Sequence, residues 1–385
     1  MKKALNHTKL IILLAVLSAI APTAIDTYIP AIPSMAKEFG VGIDKIEFTL
    51  SIFLIGFAIG QIFGGIASDN LGRKKSSILG LLGFAFFSLL IVFSSTTYEL
   101  WIYRFIEAFF GGFIVVNAGA VVRDLFNATE SAKVFSLIGS VRSLAPLLAP
   151  AVGSAIIYFY SWHVIFLFLT FYALVVAWWV YKDLQETFTY TKINPIKSYM
   201  MVLRHKQAML MMIVLALGFS GMFSIVAKSS FIYMEYFGVS AEFFPFYFGF
   251  GIVVLMVMIS VNVKLLKKYK PIRLIKTAVM FQILLAIVFV LVSKDAGLYT
   301  VLIIVGFYIG FNAFIYGNAT ALVLENFPNN AGVASALSGV IQFGVGALLS
   351  SIVIFVSKES IFPIALGLLF ISSSSFFILT RLYNK

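Results

Sequence analysis

Residues 117–126 read NAGAVVRDLF and residues 318–327 read NATALVLENF, so a similar segment recurs 201 positions later. Two further echoes have nearly the same spacing. FGV at residues 39–41 recurs at 237–239, and Ala132, Val134, Ser136 and Val141 recur as the same residue types at positions 331, 333, 335 and 340. Because these echoes keep their order along the chain, they indicate that one structural unit is used twice.

The composition places both copies in a membrane. Of the 385 residues, 61% are hydrophobic and 11% are charged, which is outside the range of soluble domains. Apolar runs of about 20 residues, the length that spans a bilayer as a helix, recur twelve times. The polar stretch 182–206 separates six runs from six. We therefore predict an all-α membrane protein of twelve transmembrane helices. Two pseudo-symmetric six-helix lobes, residues 1–182 and 207–385, are joined by a cytoplasmic linker, residues 183–206.

The ionisable residues bear on the class of function. The chain has no Cys and three His, which predicts no metal site, no cofactor and no enzyme active site. Its net charge of +12 comes mostly from Lys and Arg in loops on one side of the predicted spans. Loops on the other side hold only Lys37, Lys45, Lys294 and Lys358. This bias is the positive-inside rule, so it predicts cytoplasmic termini and gives no indication of a nucleic-acid partner.

Asp26 is an acidic residue inside the first span. Residues 10–35 read LIILLAVLSAIAPTAIDTYIPAIPSM, so the aspartate interrupts an apolar run. An aspartate at the centre of a membrane helix is unfavourable by about 2.5–3.5 kcal/mol on insertion scales, and such a residue indicates function. We interpret Asp26 as a carboxylate that takes up and releases a proton. The alternative is a position at the outer end of a short helix, just before Pro30.

Basic residues also fall within the spans. Arg104 and Glu107 lie three residues apart and share a helix face, so an ion pair between them is expected, either structural or coupled to a proton. Arg142 either faces a substrate cavity or extends to the inner surface. Lys228 is interpreted as an anchor at the outer end of its span, and a residue coupled to transport is the alternative.

The loop between the second and third spans reads GIASDNLGRKK over residues 65–75. Gly65 and Gly72 permit a tight turn. Asp69 can accept hydrogen bonds from helix N-terminal N–H groups or pair with a cation, and Arg73 holds the loop in the cytoplasm. The motif resembles the hallmark of the major facilitator superfamily, and the resemblance covers the whole chain. It implies that these four residues stabilise one access state of a transporter; a turn that only sets topology is the alternative.

The fifth span carries the most specific motif. Residues 142–153 read RSLAPLLAPAVG, in which Pro146 and Pro150 bend one helical face and Gly153 permits close packing. This run, the aspartate run of the first span and RDLF at residues 123–126 resemble the bicyclomycin-resistance (Bcr/CflA) group of drug/proton antiporters. The resemblance implies export driven by the proton gradient. Residues 104–112 read RFIEAFFGG and resemble the fourth-helix motif of the major facilitator superfamily, in which a buried Arg is tied to proton coupling. This implies a coupling role for Arg104 and for Glu107, which stands where the family usually has Gln.

Further polar side chains in the spans are expected to face a substrate cavity, because such groups usually point into the bundle. The candidates are Tyr28, Asn117, Arg142, Asn312, Tyr316, Asn318 and Gln342. These features predict a transporter, and the resemblance implies that it is a monomeric, proton-coupled efflux transporter of the bacterial inner membrane that exports small, lipophilic, drug-like compounds. The alternative is a dedicated exporter of an endogenous metabolite such as a siderophore.

Overall fold

The computed structural model of the chain describes residues 7–126, 128–187, 195–327 and 331–383. All regular secondary structure in these ranges is helical. Twelve helical stretches there are long and apolar enough to cross a membrane, as the sequence predicts. The chain divides into two compact units, Met1–Val41 with Ile52–Lys192 and Gly42–Ser51 with Ile193–Lys385. The first residues of the second span are therefore grouped with the second unit.

Seven α-helices lie within the described residues of the first half, 7–126 and 128–187. They are α1 (His7–Asp26), α2 (Ile32–Phe39), α3 (Ile43–Leu71), α4 (Arg73–Val92), α5 (Thr97–Leu125), α6 (Ala128–Phe159) and α7 (His163–Asp183). A 3-10 turn, Ile29–Ala31, links α1 to α2, and together they form the first span. Pro30 has no N–H to donate to the carbonyl of Asp26, four residues earlier, so α1 ends at Asp26.

Seven α-helices also lie within residues 195–327 and 331–383, the part of the second half that the structure describes. They are α8 (Pro195–Arg204), α9 (Lys206–Ser230), α10 (Phe244–Leu265), α11 (Pro271–Val292), α12 (Leu298–Glu325), α13 (Ala331–Val356) and α14 (Phe362–Tyr383). The short helix α8 lies within the predicted linker. Helix α9 continues as a π-helical turn, Phe231–Tyr236, so the seventh span, like the first, is irregular near its C-terminal end.

The same packing scheme occurs in both units. Helix α1 packs on α5, α6 and α7, whereas α9 packs on α12, α13 and α14; likewise α4 packs on α5 and α7, and α11 on α12 and α14. The repeated FGV segments also have one structural role, because Gly40 and Gly238 adopt left-handed φ angles of 64° and 67° just after the first and seventh spans. The predicted internal repeat is confirmed.

Glycines bring α3 and α5 close together. Gly56, Gly60 and Gly64 lie four residues apart on α3, and a Cβ atom on any of them would overlap the backbone of Phe105, Phe109 or Phe113 on α5. These backbone atoms cannot rotate away, so only glycine permits the crossing. The packing holds α5, which carries Arg104 and Glu107, firmly within the first unit.

Candidate functional site

Asp26 is the last residue of α1 and is buried, with 5% of its surface exposed. It lies within the first span, Thr8–Phe39. No hydrogen bond or ion pair to its carboxylate occurs within the part of the chain that the structure describes. A charged carboxylate in such a place is strongly disfavoured, whereas the neutral acid is tolerated far better. The position therefore suits a group whose charge changes.

Arg104 and Glu107 form the expected ion pair on α5. The guanidinium Nη1 lies 2.7 Å from a Glu107 carboxylate oxygen, and neither side chain has any exposed surface. The other carboxylate oxygen accepts a hydrogen bond from Ser88 on α4. Because the pair is compensated internally, Arg104 is committed to Glu107 and makes no ion pair with Asp26 in the described structure.

The ion pair is nevertheless linked to the end of α1. Arg104 Nη2 donates to the carbonyl oxygen of Ala24 at 3.3 Å, and the guanidinium carbon lies 4.7 Å from the ring centre of Tyr28 and 4.6 Å from that of Phe53. Ala24 and Tyr28 flank Asp26 in sequence. Tyr28 is fully buried against the guanidinium, and its role in a substrate cavity stays a prediction.

The antiporter-like motif on α6 packs against the same point. Pro146 and Pro150 both lie inside the continuous helix α6. A Cβ on Gly153 would overlap the carbonyl oxygen of Thr27, the residue that follows Asp26, and would lie 3.1 Å from the ring of Pro30. The motif thus supports the break in the first span, immediately beside the buried carboxylate.

The loop motif forms a network of charges around Arg73. Its Nη1 donates hydrogen bonds to Asp69 Oδ1 at 2.6 Å and to Ser68 Oγ at 2.7 Å, and its Nε donates to Asp124 Oδ2 at 2.9 Å. Asp69 therefore pairs with a cation, which was one of the two roles expected for it. Asp124 comes from the repeated segment at the end of α5, so the network joins α3, α4 and α5.

The helix N-terminus in this loop is capped by a residue that the motif does not contain. The Glu186 carboxylate, which follows α7, accepts hydrogen bonds from the N–H groups of Arg73 and Lys74 at 2.8 and 3.3 Å. Gly72 makes the turn with a φ of 89°. Gly65 lies inside α3, where a Cβ would meet its nearest neighbour at an ordinary 3.9 Å, so its expected role in the turn is wrong.

Two of the cavity candidates lie in helix–helix contacts instead. Asn117 Nδ2 on α5 donates to Ser76 Oγ on α4 at 2.9 Å, and Asn318 Nδ2 on α12 donates to Asn262 Oδ1 on α10 at 2.9 Å. Both Asn117 and Asn318 are buried, so neither lines an open cavity in this structure. Each side-chain amide nitrogen has a partner inside its own unit, whereas the buried Asn117 Oδ1 has no hydrogen-bond partner among the described residues.

The remaining cavity candidates have different surroundings. Asn312 is buried and donates to the carbonyl oxygen of Tyr308 at 3.4 Å, and Gln342 is buried as well, so neither lines an open surface here. Tyr316 is 49% exposed. Arg142 lies on α6, but its side chain is outside the described part of the chain, so both interpretations of it stay open.

The structure contains a second buried ion pair that the sequence does not indicate. Lys228 Nζ on α9 lies 2.7 Å from Glu47 Oε2 on α3, and neither side chain has exposed surface. Lys228 is therefore not an interfacial anchor. Glu47 follows Asp44 and Lys45 at the start of a span, where charged residues are common, so it carries no sequence signal of burial.

Within the described residues, no group of three His, Asp or Glu side chains could hold a metal ion. What the fold and site define is a multi-pass helical membrane protein with a duplicated six-helix unit and acidic and basic groups buried in its spans, the arrangement of a secondary transporter. The chain belongs to the Major Facilitator Superfamily, whose sequence model matches residues 14–351.

Relatives of this family include proteins named for drug resistance. A bicyclomycin resistance protein homolog of Haemophilus influenzae is 30% identical over 360 residues, which are 92% of this chain and 90% of the relative. A multidrug resistance protein MdtL of Shewanella oneidensis is 28% identical over 85% of this chain and 84% of its own length. Among solved structures, a D-xylose-proton symporter superposes with a TM-score of 0.77 and 16% identity, with 97% of each chain covered, which shows the fold.

Proposed function

We propose that the protein is a proton-coupled exporter of small, lipophilic, drug-like compounds. The similarity to a bicyclomycin resistance homolog and to MdtL proteins supports drugs as the substrate class. In this proposal the protein acts as a monomer in the bacterial inner membrane, and the proton gradient is its energy source. The Lys and Arg residues concentrated in the loops on one side support cytoplasmic termini.

The main support for the proposal is the burial of the Asp26 carboxylate within the first span. The described structure gives its carboxylate no hydrogen-bond donor and no counter-charge. The neutral acid can stay in such surroundings, whereas the charged form requires water or a cationic or polar ligand. Each protonation state therefore favours different surroundings, and this difference is what couples proton binding to a change between access states.

The neighbours of Asp26 connect it to the rest of the first unit. Arg104 holds the backbone of Ala24 on one side of it, and Gly153 packs on the backbone of Thr27 on the other. A shift at the end of α1 therefore moves groups on α5 and α6. Substrate and proton compete for the site, so protonation of Asp26 releases the substrate outward and deprotonation prepares the next cycle. The Arg73 network stabilises the closed cytoplasmic side.

Ethidium efflux from energised cells, with and without a protonophore, tests the proposal. We expect efflux that the protonophore abolishes and that Asp26→Asn abolishes too. Asp295→Asn is the matched control, because it makes the same chemical change at an exposed turn and should leave efflux intact. Ethidium efflux that continues in the Asp26→Asn variant or in the presence of the protonophore would contradict the coupling role.

The same experiment addresses the alternative substrate class. If the protein is well expressed in the membrane but exports neither ethidium nor other lipophilic drugs, the alternative of a dedicated metabolite exporter gains support. Mass spectrometry of compounds secreted by a deletion strain and its parent would then identify the exported compound.

A further inference from the structure

Glu47 of the Glu47–Lys228 ion pair lies near the start of α3, in a stretch that we call the docking segment, residues Gly42–Ser51. This segment is grouped with the second unit, whereas α3 continues without a break into residues that pack on α5 of the first unit. Glu47 is the central contact of the segment. Its carboxylate is bound by Lys228, and the Lys228 ammonium also lies 3.9 Å from the ring centre of Phe231.

Other contacts of the docking segment are weaker. Ser51 Oγ and Ser350 Oγ on α13 share a hydrogen bond of 3.0 Å, and the rings of Phe48 and Phe355 lie 4.8 Å apart. Asp44 lies 3.4 Å from Lys358, whose side chain is more than half exposed. An ion pair with an exposed partner contributes little, and the serine and phenylalanine contacts carry no charge. The fully buried Glu47–Lys228 pair is therefore the contact most sensitive to a change of charge.

A buried ion pair is a poor device for plain stability, because apolar side chains of similar size usually do as well. Removing one charge, however, leaves the other buried without compensation, which is strongly unfavourable. Protonation of Glu47 removes one charge in this way. Contact with water would then stabilise the charged Lys228 ammonium. Water reaches the ammonium when the docking segment moves away from α9.

We propose that Glu47 is a second protonatable carboxylate of the transport cycle and that the Glu47–Lys228 pair is a latch that holds the docking segment on α9 and α13 until Glu47 takes up a proton. The segment leaves and returns once per cycle. This inference rests on the proposed function, since it assigns the latch to a proton-driven transporter.

The other charges near the latch are more exposed than Glu47. Asp44 pairs with Lys358 in the loop after α13, and Lys45 extends over the ring of Phe355. Glu235, on the π-helical turn after α9, is exposed and lies within electrostatic range of Glu47. Glu47 differs from these carboxylates in having no exposed surface and a buried cation as its partner.

Cross-linking can test the latch without any substrate. The chain contains no cysteine, so a Ser51→Cys/Ser350→Cys variant carries only the designed pair. The two hydroxyl oxygens are 3.0 Å apart, close to the geometry that a disulfide requires. At one fixed pH near neutrality, an added oxidant such as copper phenanthroline should remove two electrons and two protons from the thiols and join them readily in membranes.

Charge removal at Glu47 should slow this reaction. Adding Glu47→Gln, which mimics the protonated acid, should lower the cross-linking rate roughly tenfold or more. The matched control is Asp44→Asn on the same segment, which should change the rate less than about twofold, because its partner Lys358 is exposed. An unchanged rate in a well-folded Glu47→Gln variant would overturn the latch.

Transport measurements then separate a latch from a merely structural pair. Oxidised Ser51→Cys/Ser350→Cys protein should lose ethidium transport and regain it on reduction, whereas equal transport in both forms would overturn the proposal. The apolar double change Glu47→Leu/Lys228→Met, made in the Ser51→Cys/Ser350→Cys protein, should leave folding and the cross-linking rate unchanged. Its transport should lose the pH dependence that the ion pair confers, and a wild-type pH profile of transport would contradict the proposal. If the reduced protein transports no ethidium, the proposed substrate class fails, but the cross-linking comparison still tests the latch.

Discussion

Replacing Gly153 by alanine should disturb the buried carboxylate from one helix away. The added methyl group would overlap the carbonyl oxygen of Thr27, and neither atom belongs to a side chain that can rotate aside. Overpacking of this kind costs about 1–3 kcal/mol. A Gly→Ala change in a helix interior also stabilises the fold by about 1 kcal/mol, because alanine has the higher helix propensity. The net loss of folding free energy should therefore be up to about 2 kcal/mol.

A matched control lies on the same helix. Outside the adjoining turns of α6, no described atom lies within 4 Å of a Cβ added at Gly139, so Gly139→Ala should gain the helix-propensity term without any overlap. The helix-propensity term cancels between the two variants, so their stabilities should differ by about 1–3 kcal/mol. The free energy of unfolding can be measured by titrating each protein in mild detergent with SDS.

The effect on transport follows from the position of the overlap. The methyl group moves the backbone next to Asp26, so Gly153→Ala should slow drug-driven proton movement about tenfold, the factor that corresponds to roughly 1.4 kcal/mol. Gly139→Ala should transport like the wild type. Wild-type stability and transport in Gly153→Ala would show that α6 does not pack on Thr27 as described.

Three further substitutions test other parts of the account. Glu107→Gln leaves the Arg104 charge buried without its partner, so SDS titration should show a loss of about 3–5 kcal/mol. Glu99→Gln, at a half-buried position in the first turn of the same helix, preserves the capping box with Thr96 and should show no comparable loss. Gly72→Ala places a side chain at a φ of 89° and against Glu186, so it should lower stability by about 1–2 kcal/mol or more in the same titration and weaken transport. Gly297→Ala is the control, because the described structure leaves open space around its added methyl group, and it should change neither stability nor transport. Asn318→Ala leaves Asn262 Oδ1 without its donor and should lower stability by about 0.6–2 kcal/mol while leaving the Kd for drug unchanged. A large change in the Kd for drug would instead indicate that Asn318 lines the substrate cavity.

Local patterns in the sequence predict much of the fold. Spanning length follows from apolar runs, and the repeat follows from echoes such as FGV, whose Gly40 and Gly238 both adopt left-handed angles after a span. The Arg104–Glu107 pair is equally local, because helix geometry alone brings residues three apart onto one face. These features depend on neighbours in sequence, so one sequence is enough to find them.

Contacts between distant residues explain what the sequence could not predict. Glu47 and Lys228 are 181 positions apart, and nothing near either residue indicates its partner. Glu186 likewise caps α4 from beyond α7. Asn117 and Asn318 are predicted to face a cavity because they are polar, yet each has a partner on a neighbouring helix that only the packing reveals.

Proton movement through Asp26 is the central claim, and it can be measured directly in proteoliposomes that contain a pH-sensitive dye. Valinomycin and equal potassium on both sides would clamp the membrane potential, and ethidium would be added outside without a pH gradient. We predict that ethidium uptake drives protons out, so the interior becomes alkaline with the wild-type protein and stays unchanged with Asp26→Asn. Equal alkalinisation in the Asp26→Asn variant, or ethidium transport by the wild type without proton movement, would contradict the account.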